Sequence, residues 1–185
     1  MILNTLDIPQ RLFDETDVQK RIFLIPAPDR TEFEGHSGAS IDLHLGRWFR
    51  TMRQSNVTVL KVGKAQSYSG FSKEHFVRFG KEFILHPGKF ALGMTLEWIS
   101  FPGDLAGHIT GKSSLGRRGL VIETAAGIHP GFAGCLTLEL ANVGEIPIAL
   151  NPGMEICQVF FHKTLSANSR ATSQFKGSRK PGSTT

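Results

Sequence analysis

Residues 82–99 read EFILHPGKFALGMTLEWI, and this stretch predicts the fold class of the chain. Two apolar runs flank the tetrapeptide His86-Pro87-Gly88-Lys89. Proline presets φ at the second position of a type II turn, and glycine accepts the positive φ at the third. The stretch therefore predicts two strands separated by a tight turn.

Further short strands with similar punctuation are predicted on both sides of this stretch. The sequence NPGM at 151–154 again separates two apolar runs. In Ser40–Leu45, apolar residues at 41, 43 and 45 alternate with Asp42 and His44, and Val57–Val62 is rich in β-branched residues. Short strands bounded by glycine and proline are typical of an all-β sandwich or barrel. We therefore predict a mainly β fold.

The remaining segments are predicted to be helix or loop. Residues 5–23 carry apolar residues near helical spacing, with Thr5 or Asp7 as the cap, and predict a short N-terminal helix. Residues 25–38 are predicted as a loop, and the polar residues 63–80 as a long excursion.

Two regions of different composition follow one another along the chain. Residues 1–165 are predicted to form a single β domain with the N-terminal helix. Residues 166–185 are rich in Ser, Lys, Arg, Gly and Thr, so we expect a flexible basic tail. The alternative is a flap that orders over a ligand bound at the active site.

Composition excludes several classes of protein. The 185 residues are 40% hydrophobic and 20% charged, which is ordinary for a globular chain. No apolar run reaches the ~18 residues of a membrane span, and the N-terminus lacks the pattern of a secretory leader. Cys135 and Cys157 lie in apolar runs and are expected to be buried thiols of a cytoplasmic protein.

The net charge of +5 suits a small polyphosphate ligand. Basic residues are spread along the chain until its end, and no base-stacking module stands out. We therefore expect neither a nucleic-acid partner nor a membrane partner.

The segment 111–139, GKSSLGRRGLVIETAAGIHPGFAGCLTLE, concentrates the groups that suggest chemistry. Its first seven residues combine two cations, two hydroxyls and two glycines, which suits an anion site or a plain basic turn. The Walker A pattern fails because only three residues separate Gly107 from Gly111. A P-loop is therefore excluded, and the other two readings stay open.

Glu139 is the second candidate. Leucines at 136, 138 and 140 alternate with Cys135, Thr137 and Glu139, so the carboxylate points away from the leucines. It is either the solvent-facing partner of a core stripe or, where that face lines a pocket, a group suited to proton transfer.

A protein-bound metal is not expected. The seven histidines are scattered without H-x-H or H-E-x-x-H spacing. The H-x-E and P-C-x-x-C signatures of zinc nucleobase deaminases do not occur.

At these motifs the sequence resembles the dCTP deaminase family, within the trimeric dUTPase superfamily. The matching motifs are SGASIDLHLG at 37–46, LHPGKFAL at 85–92 (similar to the family's HPGEFAL-like hairpin), GKSSLGRRGL at 111–120, PGFAGCLTLEL at 130–140 and PGMEICQ at 152–158. The resemblance spans roughly residues 37–161. It implies a distorted jelly-roll or β-barrel of the dUTPase-like type, a homotrimer with sites between subunits, and hydrolysis of dCTP to dUTP and ammonia.

The resemblance also implies roles for individual residues. Glu139 would be the general base for the water that attacks C4, Arg117 would support the pyrimidine site, and Ser113 would hydrogen-bond near the reaction centre. The triphosphate would carry Mg²⁺ with it. The implied nucleotide-binding residues are Lys112, Ser113, Ser114, Arg117, Ala126, His129, Thr137, Gln158 and Phe175.

Several positions depart from the family pattern. The family reads T-A-G-F-I-D-P-G where this chain reads AAGIHPG at 125–131, with one residue fewer after Gly127. His129 replaces the Asp that binds the 3′-hydroxyl, Glu123 replaces a His, and Phe175 replaces a Tyr. Two alternatives therefore stay open. One is a dUTP pyrophosphatase or bifunctional deaminase–pyrophosphatase, and the other is a nucleotide-binding trimer without turnover.

Overall fold

The computed structural model describes residues 1–35, 37–53, 59, 70–123, 127–166, 177 and 180–181. Its strands are β1 (Phe23–Ile25), β2 (Ser40–His44), β3 (Trp48–Met52), β4 (Ser72–Phe76), β5 (Phe83–Leu85), β6 (Phe90–Ser100), β7 (Leu105–Gly111), β8 (Leu120–Glu123), β9 (Gly127–Ile128), β10 (Ala133–Asn142), β11 (Ile148–Leu150) and β12 (Glu155–Lys163). The helical segments are α1 (Asp7–Pro9), a π-helical turn (Gln10–Asp14), a 3₁₀ turn (Arg30–Phe33) and α2 (Ser113–Gly116). The predicted mainly β fold with a short N-terminal helix is confirmed.

The described strands form three antiparallel sheets. The large sheet has the order β4-β3-β6-β10-β8, and β1 pairs with another part of β6. A second sheet has the order β2-β12-β7-β9, and β5 pairs with β11. Leu138 and Leu140 of the large sheet and Val159 and Phe161 of the second sheet are fully buried in one apolar cluster. Each such side chain contributes about 1.5–3 kcal/mol by leaving water.

The N-terminal helix is shorter than predicted. Helical structure covers residues 7–14 and not 5–23. The Asp17 carboxylate accepts the Gln19 N–H (3.0 Å), and such a local side-chain bond competes with helix propagation. The predicted cap is also wrong, because Asn4 Oδ1, rather than Thr5 or Asp7, accepts the Leu6 and Asp7 N–H groups.

The alternating segment at 40–45 folds as predicted, and the polar segment at 63–80 does not fold as a continuous excursion. Apolar side chains at 41, 43 and 45 are buried, while Asp42 and His44 are partly exposed. Residues 72–76 form β4, an edge strand. It was not predicted because exposed charged side chains, which are common on edge strands, make its sequence resemble a polar loop. The predicted strand Val57–Val62 lies outside the described residues except Val59, which is in no strand.

Both predicted Pro-Gly turns form. The Lys89 N–H donates to the His86 carbonyl (3.1 Å), and Gly88 has φ +68°. At the second turn, Gly153 has φ +90°. The expected hairpin at 85–92 is wrong, however, because β5 pairs with β11 whereas β6 pairs within the large sheet. The turn therefore carries the chain from one sheet to another.

The described part of the tail contacts the large sheet. Arg50 Nε donates to the Pro181 carbonyl (2.9 Å), and Lys180 Nζ lies 4.3 Å from the centroid of the Trp48 ring. The remaining residues of 166–185, apart from residues 166 and 177, lie outside the described ranges, so the predicted flexibility of the tail stays a prediction. Among the described helices, none has the length and apolar character to cross a membrane.

Candidate active site

Strand β10 presents Glu139 on its outer face. Leu138 and Leu140, on either side of it, are fully buried and fix the strand against the core. The Glu139 side chain is exposed and, within the part of the chain that the structure describes, has no hydrogen-bond or ion-pair partner. Thr137 is half-buried and shares this face with Glu139 because it lies two residues earlier. The outer face of β10 therefore holds a carboxylate that is free to bind a ligand.

Five residues in direct register form a row across the large sheet, which we call the Glu139 row. Glu139 pairs with Glu123 on one side and with Leu92 on the other. Leu92 pairs with Arg50, which pairs with Glu74. Directly opposite residues of antiparallel strands point to the same face. Because Arg50 donates to Glu74 (2.6 Å), its charge is already compensated within the row.

The short helix α2 presents the predicted hydroxyls and guanidinium to solvent. Ser113, Ser114 and Arg117 are exposed, while Leu115 packs against the core. The Arg117 N–H donates to the Ser113 carbonyl (3.0 Å), which closes a single helical turn. An anion that approaches α2 would meet two hydroxyls and one guanidinium on the same surface.

A glycine fixes the exit from α2. Gly119 has φ +87°, and a Cβ there would lie 2.9 Å from the Gly144 nitrogen. The Gly119 carbonyl accepts the Val143 N–H (2.9 Å). Asn142, 1% exposed, holds the same loop because its Oδ1 accepts the Gly144 N–H (3.0 Å). The end of β10 therefore anchors the loop that follows α2.

Lys112, at the start of α2, is bound by carboxylates of its own chain. Its Nζ donates to Asp42 Oδ2 (2.7 Å) and to Glu155. Burial opposes the charge, but these hydrogen bonds outweigh it, so the pKa of Lys112 lies above its ordinary value. Gln158 Nε2 donates to the other oxygen of Asp42 (2.9 Å). Two predicted nucleotide-binding residues are thus held by one carboxylate.

Within one chain, the residues that follow α2 enter β8 at the end away from Glu139. Leu120, the first residue of β8, pairs with Asn142, whereas Glu139 pairs with Glu123 at the other end. Asn142 lies three residues along β10 from Glu139, a distance of about 10 Å. Arg117 precedes Leu120 and lies beyond that end. Among the described residues, no ion pair or hydrogen bond joins Arg117 to Glu139 of the same chain.

The other predicted site residues are dispersed. His129 is exposed and begins the turn before β10, where its carbonyl accepts the Phe132 N–H (3.1 Å). Gln158 belongs to the second sheet with Asp42. Ala126 and Phe175 lie outside the described residues.

Comparison with known proteins identifies the family. The profile of the dCTP deaminase-like family matches residues 13–164. A dCTP deaminase of Natronomonas pharaonis is 40% identical over 185 residues, covering 100% of this chain and 91% of that protein. The chain belongs to the dCTP deaminase-like family. The family predicted from the sequence motifs is confirmed.

Another relative carries the name of its product. The "dCTP deaminase, dUMP-forming" of Mycobacterium ulcerans is 43% identical over 150 residues, covering 77% of this chain and 78% of that protein. The crystal structure of 2′-deoxycytidine 5′-triphosphate deaminase from Agrobacterium tumefaciens has a TM-score of 0.65 at 21% identity. The structural alignment covers 88% of this chain and 48% of the Agrobacterium tumefaciens chain. This structural likeness shows that the two proteins share a fold.

Sequence reasoning missed the residues that support the dCTP deaminase-like motifs. Asp42 binds both Lys112 and Gln158, and Asn142 anchors the loop after α2. One signal for Asp42 was available, since it is a charged residue on the strand face that the alternation at 40–45 turns away from the core. Asn142 gave none, because an asparagine at a strand end is an ordinary turn residue.

Proposed function

We propose that this protein hydrolyses the exocyclic amino group of dCTP, giving dUTP and ammonia, with Glu139 as the general base. The observation that carries the proposal is the position of Glu139 in a member of the dCTP deaminase-like family. The carboxylate is exposed on a strand held by buried leucines and has no partner among the described residues of its own chain. Such a group is positioned without being neutralised, as a base requires.

The proposed reaction moves protons through this one carboxylate. Glu139 takes a proton from the water as its oxygen bonds to C4 of cytosine. This addition places negative charge on N3. The proton then passes from Glu139 to the exocyclic nitrogen, the C4–N bond breaks and ammonia leaves. The proton of the remaining C4 hydroxyl moves to N3, which gives the C4 carbonyl of dUTP. Ser113 and Arg117 would hold the pyrimidine and stabilise the charge that develops in the transition state. Thr137, on the same face as Glu139, would line the nucleotide site.

We further propose that each site combines Glu139 of one subunit with α2 of another subunit in a homotrimer. This arrangement is supported by the separation of Arg117 and Glu139 along β8. A second copy can supply the guanidinium that a single chain keeps at a distance from its own base. The substrate would be dCTP with Mg²⁺ on its triphosphate, and the protein would work in the cytoplasm.

The primary test is release of ammonia from dCTP in the presence of Mg²⁺. We expect Glu139→Gln to lower kcat by about 100- to 10,000-fold, the usual contribution of a general base. Glu145→Gln is the matched control, because Glu145 is an exposed glutamate of the loop after β10. Full activity in Glu139→Gln would contradict the mechanism, and a wild-type protein that binds dCTP without turnover would support the non-catalytic alternative.

The shared site is tested by mixing two inactive variants. Glu139→Gln keeps Arg117, and Arg117→Ala keeps Glu139. After unfolding and refolding together, we expect about a quarter of the sites to combine both intact residues, so activity returns. Refolding each variant alone is the control. If the mixture stays inactive while native mass spectrometry shows mixed trimers, the site is not shared.

A bifunctional enzyme is the second candidate function. It is favoured by the 43% identity to a relative named as dUMP-forming. Chromatography of the products separates the two reactions, since the deaminase yields dUTP and the bifunctional enzyme yields dUMP and pyrophosphate.

The assay with and without EDTA tests the requirement for Mg²⁺, and fractionation of cells tests the cytoplasmic location.

A further inference from the structure

Asp42 joins two sheet strands to the start of α2. It lies on β2 directly opposite Gln158 of β12, and its Oδ1 accepts the Gln158 Nε2–H (2.9 Å). Its Oδ2 accepts from Lys112 Nζ (2.7 Å). The Lys112 side chain is 21% exposed and that of Asp42 is 35% exposed, so water only partly screens the pair. One carboxylate therefore fixes a side chain of β12 and a side chain at the start of α2.

Lys112 transmits this restraint to α2. Its backbone carbonyl accepts the N–H groups of Leu115 (3.0 Å) and Gly116 (3.1 Å), so it begins the helix. Its backbone N–H donates to the Ile156 carbonyl (3.4 Å). Among the described residues, α2 has no capping side chain at its first position. The direction in which α2 points is therefore set by a residue whose side chain Asp42 holds.

We propose that Asp42 is a positioning residue for the deamination site, acting through Lys112 on the orientation of Ser113 and Arg117. The inference rests on the proposed function of α2 in a shared site. Asp42 does not touch the substrate in this scheme. It holds Lys112 so that the hydroxyl of Ser113 and the guanidinium of Arg117 meet the partner subunit in one geometry.

The partition of charge around Lys112 supports this role. A lysine bound by Asp42 and Glu155 is already compensated before a triphosphate arrives. The Glu155 side chain is 53% exposed, so its pair with Lys112 is the weaker of the two. Restraint of Lys112 therefore depends mainly on Asp42.

The test compares Asp42→Asn with Asp104→Asn. Asp42→Asn keeps the size of the side chain and removes its charge. Misplacement of a site by about 1 Å costs on the order of 100-fold, so we expect kcat for dCTP to fall about 10- to 100-fold while KM changes less than about 3-fold. Asp104 forms a 2.8 Å ion pair with Arg11 at 20% side-chain exposure, and its variant should keep wild-type kcat.

A double-mutant cycle tests whether Asp42 acts on α2 through Lys112. If Asp42 acts through Lys112, the loss in kcat for Asp42→Asn combined with Lys112→Met should equal that of the larger single variant. Losses that multiply would overturn the proposal. So would an Asp42→Asn enzyme with unchanged or higher kcat, which would mean that releasing Lys112 leaves the site intact.

Hydrogen exchange separates this inference from the proposed function. In the nucleotide-free protein, the amides of Leu115, Gly116 and Arg117 are hydrogen-bonded within α2. We expect them to exchange faster in Asp42→Asn and at the wild-type rate in Asp104→Asn. This measurement needs no turnover, so it stays decisive even if the wild-type protein does not deaminate dCTP. Unchanged exchange in Asp42→Asn would overturn the positioning role.

Discussion

Glu139 and Glu123 lie directly opposite each other on β10 and β8, with both side chains on the outer face of the large sheet. Both are exposed. Like charges at this spacing destabilise a sheet, because the Cβ atoms of such a pair lie about 5 Å apart. The proposed base therefore belongs to a pair of like charges that is unfavourable for the sheet.

This pair predicts that stability and activity respond differently to the same substitution. Glu123→Gln and Glu139→Gln should each raise the free energy of unfolding by about 0.2–1 kcal/mol, because each removes the repulsion. Only Glu139→Gln should abolish deamination. Urea unfolding and an ammonia assay on both variants check this, and a loss of stability in Glu123→Gln would contradict it.

At Gly119, after α2, we expect one added methyl group to reduce both stability and activity. Gly119→Ala must accept φ +87° and a 2.9 Å approach to the Gly144 nitrogen, so we expect it to lose about 1–3 kcal/mol of stability and most of its activity. Gly116→Ala is the matched control, since nothing lies within 4 Å of its added Cβ. Alanine should stabilise α2 there by about 0.5–1 kcal/mol. Thermal unfolding of the two variants should shift in opposite directions.

The two thiols should react at different rates. Burial, reinforced by the nearby charges of Glu97 and Asp42, raises the pKa of the Cys157 thiol to about 12. Cys135 is only partly buried. At pH 8 we expect a thiol reagent to modify Cys135 in the folded protein and Cys157 only after unfolding. Mass spectrometry of timed samples reads the order, and early labelling of Cys157 would refute it.

Acid should destabilise the fold through His162. Burial, the nearby His108 and the chain's terminal amine lower the pKa of His162 below its ordinary value. The unfolded chain therefore binds a proton that the folded chain resists, so stability is present above about pH 6.5 and falls as the pH drops below it. Burial and the charge of Lys73 also lower the pKa of His75, which therefore acts on stability in the same direction. His162→Asn should show a flatter decline in Tm between pH 7 and 5 than the wild type.

Local patterns were sufficient for much of the fold. The Pro-Gly turns at 87–88 and 152–153 and the alternation at 40–45 depend on neighbouring residues alone, and all three formed. Strand partners were not predictable, since the turn at 87–88 joins strands of two different sheets. The N-terminal helix was overextended because the side-chain bond of Asp17 is invisible to periodicity.

In the candidate site, too, local features were predictable and contacts between distant residues were not. The alternation correctly placed Glu139 on the outer face of β10, and the membership of the other residues in the site stays a prediction from the motifs. The motifs could not predict that Lys112 is held by Asp42, because those residues are 70 positions apart in the chain. Contacts of this kind depend on which strands become neighbours, and sequence spacing does not record that.

The separation of Arg117 from Glu139 along β8 has a consequence for how the protein would be regulated. If a site needs two chains, catalysis depends on the concentration of the protein itself. Specific activity would then fall on dilution below the dissociation constant of the assembly and recover on reconcentration. A cell could therefore silence the enzyme by lowering its abundance, without any inhibitor.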